Sequence, residues 1–261
     1  MISHAFARKP LPFPAVPSSR ALPVLWSADI DRAAREHAHE VRPHEAAGIV
    51  ENGYYVRLDN VAPNPETEVA LSDADRVRVM AADVFFHSHP GGPACPSQED
   101  MQFQLDTGLP CVVYVPETND LFAWGDMLPT APLVGRAFRH GIYDCYGAVR
   151  DWYVQHKGVL LPEGARGWEW WSKGQDLYSE NFARAGFTVL PIAEATQPGD
   201  LLMYRFNYKV LMHAAVVHTD PNLLFHHTAG RSEFDPSRVS GFVPRMRWVR
   251  LAYSAVRRTN G

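Results

Sequence analysis

The sequence predicts an α+β chain with two sheet-containing domains, on three observations. Its 261 residues suit two cores of about 110–130 residues each. Short strand-like runs alternate with Ser-capped helical stretches over 24–126, whereas beyond 135 one helical stretch precedes several strand-like runs. At 46% hydrophobic and 21% charged, with aromatics along its whole length, the chain has the composition of a globular protein in both halves.

Residues 1–23 contain five prolines and no continuous apolar h-region, so they read as an extended proline-rich arm rather than a signal peptide. Ser27 can cap a helix through DIDRAAREHAHEVR, which Pro43 ends. AAGIV and YYVRLDN flank Glu51-Asn52-Gly53, and Asn-Gly between such runs signals a hairpin. SDADRVRVMAA reads as a helix, VFFHSH as a strand, and SQEDMQFQLDTG as a helix opened by Ser97 and closed by Gly108. CVVYV and LFAWGD, on either side of Asn119, complete an α/β or α+β sheet domain over 24–126. Two prolines in MLPTAPLVG mark a linker at 127–134. In the second domain, 135–261, DCYGAVRDWYVQHKG has helical periodicity and 160–195 mixes helix and loop. GDLLMYRF, VLMHAAVVH, LLFHHTA and WVRLAYS then read as strands.

A net charge of −4 leaves no chain-wide positive field to collect phosphates, so nucleic acid is not an expected partner. Arg245, Arg247 and Arg250 read as the solvated face of a terminal strand. No apolar run approaches the roughly 18 residues of a membrane-spanning helix. Cys95, Cys111 and Cys145 are an odd, sparse set, which fits a reducing compartment rather than a disulfide framework.

Two constellations carry chemistry. On a strand, His87 and His89 project from one face, and a tight GGPACP loop followed by a helix opened at Ser97 brings Asp100 to the same point. Three protein ligands leave a zinc coordination position for water. Glu45, before the small residues Ala46-Ala47-Gly48, is the candidate general base, although Glu36, Glu40 and Glu51 lie nearby; Ser97 can donate to an oxyanion. Cys95 is either a soft extra ligand or a small loop residue, and Cys111 is core. The set Glu45, His87-Ser88-His89-Pro90, Ser97 and Asp100 resembles the JAMM (MPN-plus) metalloproteases over about 100 residues. That resemblance implies their sheet fold, a Zn2+ cofactor and peptidase or isopeptidase chemistry.

In the second half Cys145 opens a helix, whose positive end favours a thiolate. VLMHAAVV and LLFHHT flank His218 to Pro221, and pairing Val217 with Asn222 across that loop sets His213 opposite His226. His213 can then serve as base and His226 as its orienting partner. His227 faces the other way, and a one-residue slip would exchange it with His226. Gly-x-x-Asp-Cys, Gly-Asp-Leu, His-Ala-Ala-Val-Val and Leu-Phe-His resemble the NlpC-type cell-wall cysteine endopeptidases over roughly 135–230. That likeness implies a reduced papain-like α+β fold and cleavage of peptidoglycan stem peptides, typically between D-γ-glutamate and diaminopimelate. Tyr146 stands where a serine is common, and no tyrosine lies a dozen residues before Cys145.

A JAMM-like domain followed by an NlpC-type domain resembles the tail tip assembly proteins of long-tailed bacteriophages. This implies a virion tail-tip component made in the host cytoplasm, with peptidoglycan and other tail tip proteins as partners. Two other functions fit the same residues: a structural tail protein with vestigial sites, and a cytosolic processing protease in which the JAMM half acts.

Overall fold

The computed structural model describes residues 20–230 and 232–259. Of the expected arm, 1–19 lies outside these residues. Arg20 is held at both ends: its N–H donates to Ala123 O (3.2 Å) and its guanidinium pairs with Asp151 (3.0 Å).

The first half runs α1 (Ala28–Glu40), β1 (Ala47–Glu51), β2 (Tyr54–Leu58), α2 (Asp73–Val79), β3 (Val84–Ser88), α3 (Gln98–Thr107), β4 (Cys111–Val115) and β5 (Asp120–Trp124). Ser27, Ser72 and Ser97 each accept a backbone N–H at the start of the helix that follows, as short hydroxyl side chains do at helix entries. Gly108 closes α3 at φ +70, a conformation that costs glycine nothing. The sheet order is β2-β1-β3-β4-β5, antiparallel except between β3 and β4, and α3 makes that parallel crossover.

All five residues of β3 are buried, because the sheet is covered on both faces. Val84 and Phe86 pack with Trp26, Ile30, Ala34 and Ala38 on the α1 side. Phe85 points the other way, 4.5 Å from the Phe103 ring of α3, and its neighbour His87 shares that face. Each fully buried aliphatic or aromatic side chain contributes about 1.5–3 kcal/mol, so the histidine face is framed by rigid core. Ile142 and Tyr143, from further along the chain, complete the apolar cluster under this face.

The second half continues with β6 (Ala137–Arg139), α4 (Cys145–Lys157), α5 (Leu177–Asn181), β7 (Phe187–Leu190), β8 (Leu201–Tyr204), β9 (His213–Val217), β10 (Leu223–His226), β11 (Phe234–Val239), β12 (Gly241–Pro244), α6 (Arg245–Trp248) and β13 (Ser254–Arg258). An antiparallel six-stranded sheet in the order β12-β10-β9-β8-β13-β7 packs one face against Ala148, Val149, Trp152 and Tyr153 of α4. A separate ribbon joins β6 to β11. In 127–134, Leu128 is buried in the cluster beside α1 and Leu133 in the cluster beside α4.

Two expectations are corrected. WVRLAYS is not a strand: Arg245–Trp248 is helical, Val249–Leu251 forms a 3-10 turn, and the last strand starts at Ser254. Val249 and Trp248 lie three and four residues before Ala252, a helical spacing, and all three pack on the outer face of the sheet. Arg245, Arg247 and Arg250 therefore ride on helical turns. The hairpin register is also two residues away from the expected one: Val217 pairs with Leu224, and His218 N–H donates to Leu223 O, so the loop is Thr219 to Asn222. Asp220 sets this turn by accepting from Asn222 N–H (2.9 Å). A shift of two preserves parity, and His226 keeps its face.

Candidate functional site

The end of β3 delivers His87, and His89 follows it with its N–H bonded to Tyr114 O, which prolongs the β3–β4 pairing. Their Nε2 atoms lie 3.0 Å apart. Asp100 sits in the first turn of α3, where Ser97 Oγ accepts its N–H and its own carboxylate accepts Ser97 N–H. This reciprocal cap aims the carboxylate at the histidines, with Oδ1 3.0 Å from His87 Nε2 and Oδ2 3.3 Å from His89 Nε2. Pro93 O accepts from His89 Nδ1 (3.0 Å), which orients the ring with Nε2 facing the cluster.

Glu45 lies two residues before β1, whose first residue, Ala47, pairs with His87. Glu45, His87 and His89 are all buried and place one ligand atom each within 4.8 Å of one another. Cys95 is not of that group, and burial pushes its thiol up. Burial raises the Glu45 carboxyl, against the opposing pull of both histidines. Burial would raise Asp100 too, but His87 and His89 override it and hold Asp100 well below the carboxylate range. The chemistry of this donor set fits a divalent metal: two imidazole nitrogens and an anionic carboxylate stand 3.0–3.3 Å apart. Four-coordinate bonds of about 2.0–2.1 Å put neighbouring donors about 3.3–3.4 Å apart.

The second centre begins at a glycine turn. Gly141 has φ +76, and a Cβ there would run into Met101 of α3, next to Asp100. Asp144 caps α4: its carboxylate accepts from Gly147 N–H (2.8 Å), Gly141 N–H (3.0 Å) and Arg166 Nε (2.9 Å). Cys145 is the first residue of α4. His213 opens β9 and His226 ends β10; they are offset along the hairpin, yet His213 Nε2 and His226 Nδ1 lie 3.2 Å apart. Trp248, from the corrected helix, packs its ring 4.4 Å from that of His226. His227 faces away and bonds to Arg238 O.

The Cys145 thiol lies 3.2 Å from Tyr178 Oη and 3.9 Å from the carbonyl of Met212, the neighbour of His213. Cys145 and His213 both line a cavity of about 480 Å³ walled by Trp168, Trp170, Trp171 and Tyr178. The expectation of a thiolate favoured by the helix end is corrected. Burial, reinforced by the adjacent Asp144 anion and opposed by the Tyr178 hydrogen bond, pushes the thiol up to about 11. Burial also lowers His213 far below its ordinary value, helped by His226 and His227, and lowers His226 to about 4. At neutral pH the thiol and both imidazoles are uncharged.

Tyr178 and Arg166 escaped the sequence reading. Tyr178 is 33 residues from Cys145 in a tryptophan-rich stretch without periodicity, and nothing local marks its contact with the thiol.

Residues 27–125 match the family of prokaryotic homologs of the JAB domain, and residues 121–251 match the NlpC/P60 family. Tail tip assembly protein K of Escherichia phage lambda is 37% identical over 140 residues, which cover 54% of this chain and 67% of that protein. Tail tip assembly protein K of Escherichia phage N15 is 26% identical over 210 residues, covering 76% and 84% respectively. A solution structure from Desulfitobacterium hafniense aligns at 22% identity and a TM-score of 0.29, over 37% of this chain and 78% of that one. The chain belongs to the NlpC/P60 family, with a JAB-like domain ahead of that match, and is a homologue of the K proteins of phages lambda and N15.

Proposed function

We propose that this protein is a phage tail tip component that cuts peptidoglycan stem peptides at Cys145, and that its JAB-like half is a second, metal-dependent peptidase site. One observation carries the reading: Cys145 lies in a large cleft that His213 also lines, and His213 is tied to His226. Because His213 Nε2 faces His226 Nδ1, the tautomer that donates across that contact leaves Nδ1 of His213 as the free base. The thiol proton passes to Nδ1 as sulfur attacks the amide carbon, the C–N bond breaks with that proton returned to the amine, and water then releases the thioester. His226 holds the ring in place throughout.

In the first half, His87, His89 and Asp100 would hold zinc, which supplies a Lewis acid and acidifies water when bound. Glu45, raised by burial, takes the proton of the attacking water and returns it to the leaving amine. Ser97 Oγ accepts the Asp100 N–H and still has its own hydrogen to donate to an oxyanion.

Digestion of purified peptidoglycan by wild type, Cys145→Ala and His89→Ala, with the cut bonds identified by mass spectrometry, tests this. Stem-peptide fragments that disappear in Cys145→Ala are expected; identical fragment profiles from all three proteins would sink the reading. The neutral, elevated thiol favours a second reading, a structural tail protein with silent sites. Stoichiometric zinc together with selective alkylation of Cys145 at pH 8 would eliminate it.

A further inference from the structure

The phenol hydroxyl of Tyr178 is 3.2 Å from the Cys145 sulfur, in hydrogen-bond contact with the atom that would react. It does not arrive there by chance of a loose side chain. Tyr178 is 8% exposed, its ring lies 5.9 Å from Trp170 and 6.2 Å from Tyr146, and Asp176 caps the short helix that carries it. The hydroxyl is therefore fixed on the wall of the cleft, beside the nucleophile.

We propose that Tyr178 is a catalytic residue of the cysteine centre: its hydroxyl donates to the Cys145 sulfur as the proton leaves, then transfers that hydrogen bond to the substrate oxyanion as the C–S bond forms. The proposal rests on the peptidase reading for its second step only. A neutral thiol is a poor acceptor, but a thiolate is a strong one, so the bond strengthens as the proton moves to His213. When sulfur attacks, its negative charge passes to the carbonyl oxygen, and a donor already beside the sulfur is within reach of that oxygen. The hydroxyl keeps its own proton throughout. When the tetrahedral species collapses, the electron pair returns to the carbonyl, the C–N bond breaks, and the amine takes the proton held by His213.

The electrostatics are consistent with a donor role. Burial first, then the neighbouring Cys145, raises the Tyr178 phenol well above its ordinary value, so it stays protonated across the working pH range. Among the influences on the Cys145 thiol, the Tyr178 hydrogen bond opposes both burial and Asp144.

The test uses the full chain and Tyr178→Phe, which keeps the ring contacts and deletes the hydroxyl. Iodoacetamide alkylation is followed from pH 7 to 9.5, with the rate of Cys145→Ala subtracted to remove Cys95 and Cys111. The expected result is a log-rate line displaced by about one pH unit toward alkaline pH, the size of one lost hydrogen bond to a charged group. The kcat/KM for stem-peptide cleavage should fall by about 10²-fold. A merely structural tyrosine would leave the alkylation line in place, and an alkylation line superimposed on that of wild type overturns the proposal whatever turnover does. So does a wild type in which subtraction leaves no Cys145 alkylation. If the line shifts while wild type cuts no peptidoglycan, the peptidase reading fails and the contact of Tyr178 with the thiolate stands. Should Tyr178→Phe not fold, 3,5-difluorotyrosine placed at 178, a stronger donor, must move the line the opposite way; an unmoved line again overturns the proposal.

Discussion

Burial penalises charge at both the His87-His89-Asp100 cluster and the Cys145-His213-His226 cluster, yet the two respond in opposite ways. At the first, complementary charges override it: His89 is raised by Asp100 although burial pulls it down, and Asp100 stays anionic well below its ordinary range. At the second, burial prevails: the Tyr178 hydrogen bond and the Arg166 guanidinium pull the thiol down but do not offset it. Asp144, the nearest anion, is engaged with Arg166 and raises Cys145 further. The first centre favours charged forms of His89 and Asp100, whereas the second favours a neutral thiol and neutral imidazoles. The same low dielectric serves opposite ends, depending on whether a paired charge accompanies each group.

This contrast can be broken at several points. The largest effect is expected for Cys145→Ala, which should lower stem-peptide cleavage by about 10⁴-fold or more, with His213→Ala costing about 10²–10⁴-fold. Metal content measured on the same Cys145→Ala protein should stay at the wild-type value; a loss would show that the two centres are not separate. Conversely, His89→Ala should abolish stoichiometric metal while the Cys145 alkylation rate is unchanged, read by elemental analysis and iodoacetamide kinetics.

Stability against pH sharpens the comparison. His226 and His227 are each lowered to about 4 from an ordinary 6.5, so they stay neutral in the folded chain while the unfolded chain binds protons. Their contribution is complete above about pH 6.5 and is lost as pH falls toward 4, by up to about 3 kcal/mol per residue. Asp100, with a folded value well below 3.8, starts to lose its contribution only below that ordinary value. Thermal midpoints should therefore drop between pH 7 and 4, and His226→Gln should flatten that slope; a slope unaltered by it would contradict neutral burial at the second centre. The smallest effect is expected for Ser97→Ala, which removes the α3 cap and should cost about 1 kcal/mol in denaturant unfolding while loosening the aim of Asp100.

Much of the first centre was legible because its signals are local. A strand period of two pairs His87 with His89, and a serine cap fixes Asp100 three residues on, so the sequence already contains the geometry. At the second centre only parity survived. The Asp220 turn moved the hairpin by two residues, and the histidines remained partners because two is the period of a strand. What stayed hidden depends on distant packing. Trp248 belongs to a helix because its neighbours cover a sheet face, Tyr178 reaches the thiol from 33 residues away, and the charge state of Cys145 follows from burial and from the Asp144–Arg166 pair.

The turn His140 to Cys145 serves two cores at once. Ile142 and Tyr143 insert beneath the first sheet, Gly141 leaves room for Met101, and within two residues the chain has become the helix that carries the thiol. The front half thus acts as a mould for the floor of the rear cleft. Recombination that replaced one half with a foreign counterpart would have to supply matching sockets for these side chains, so the halves can be exchanged between chains only as a fitted pair.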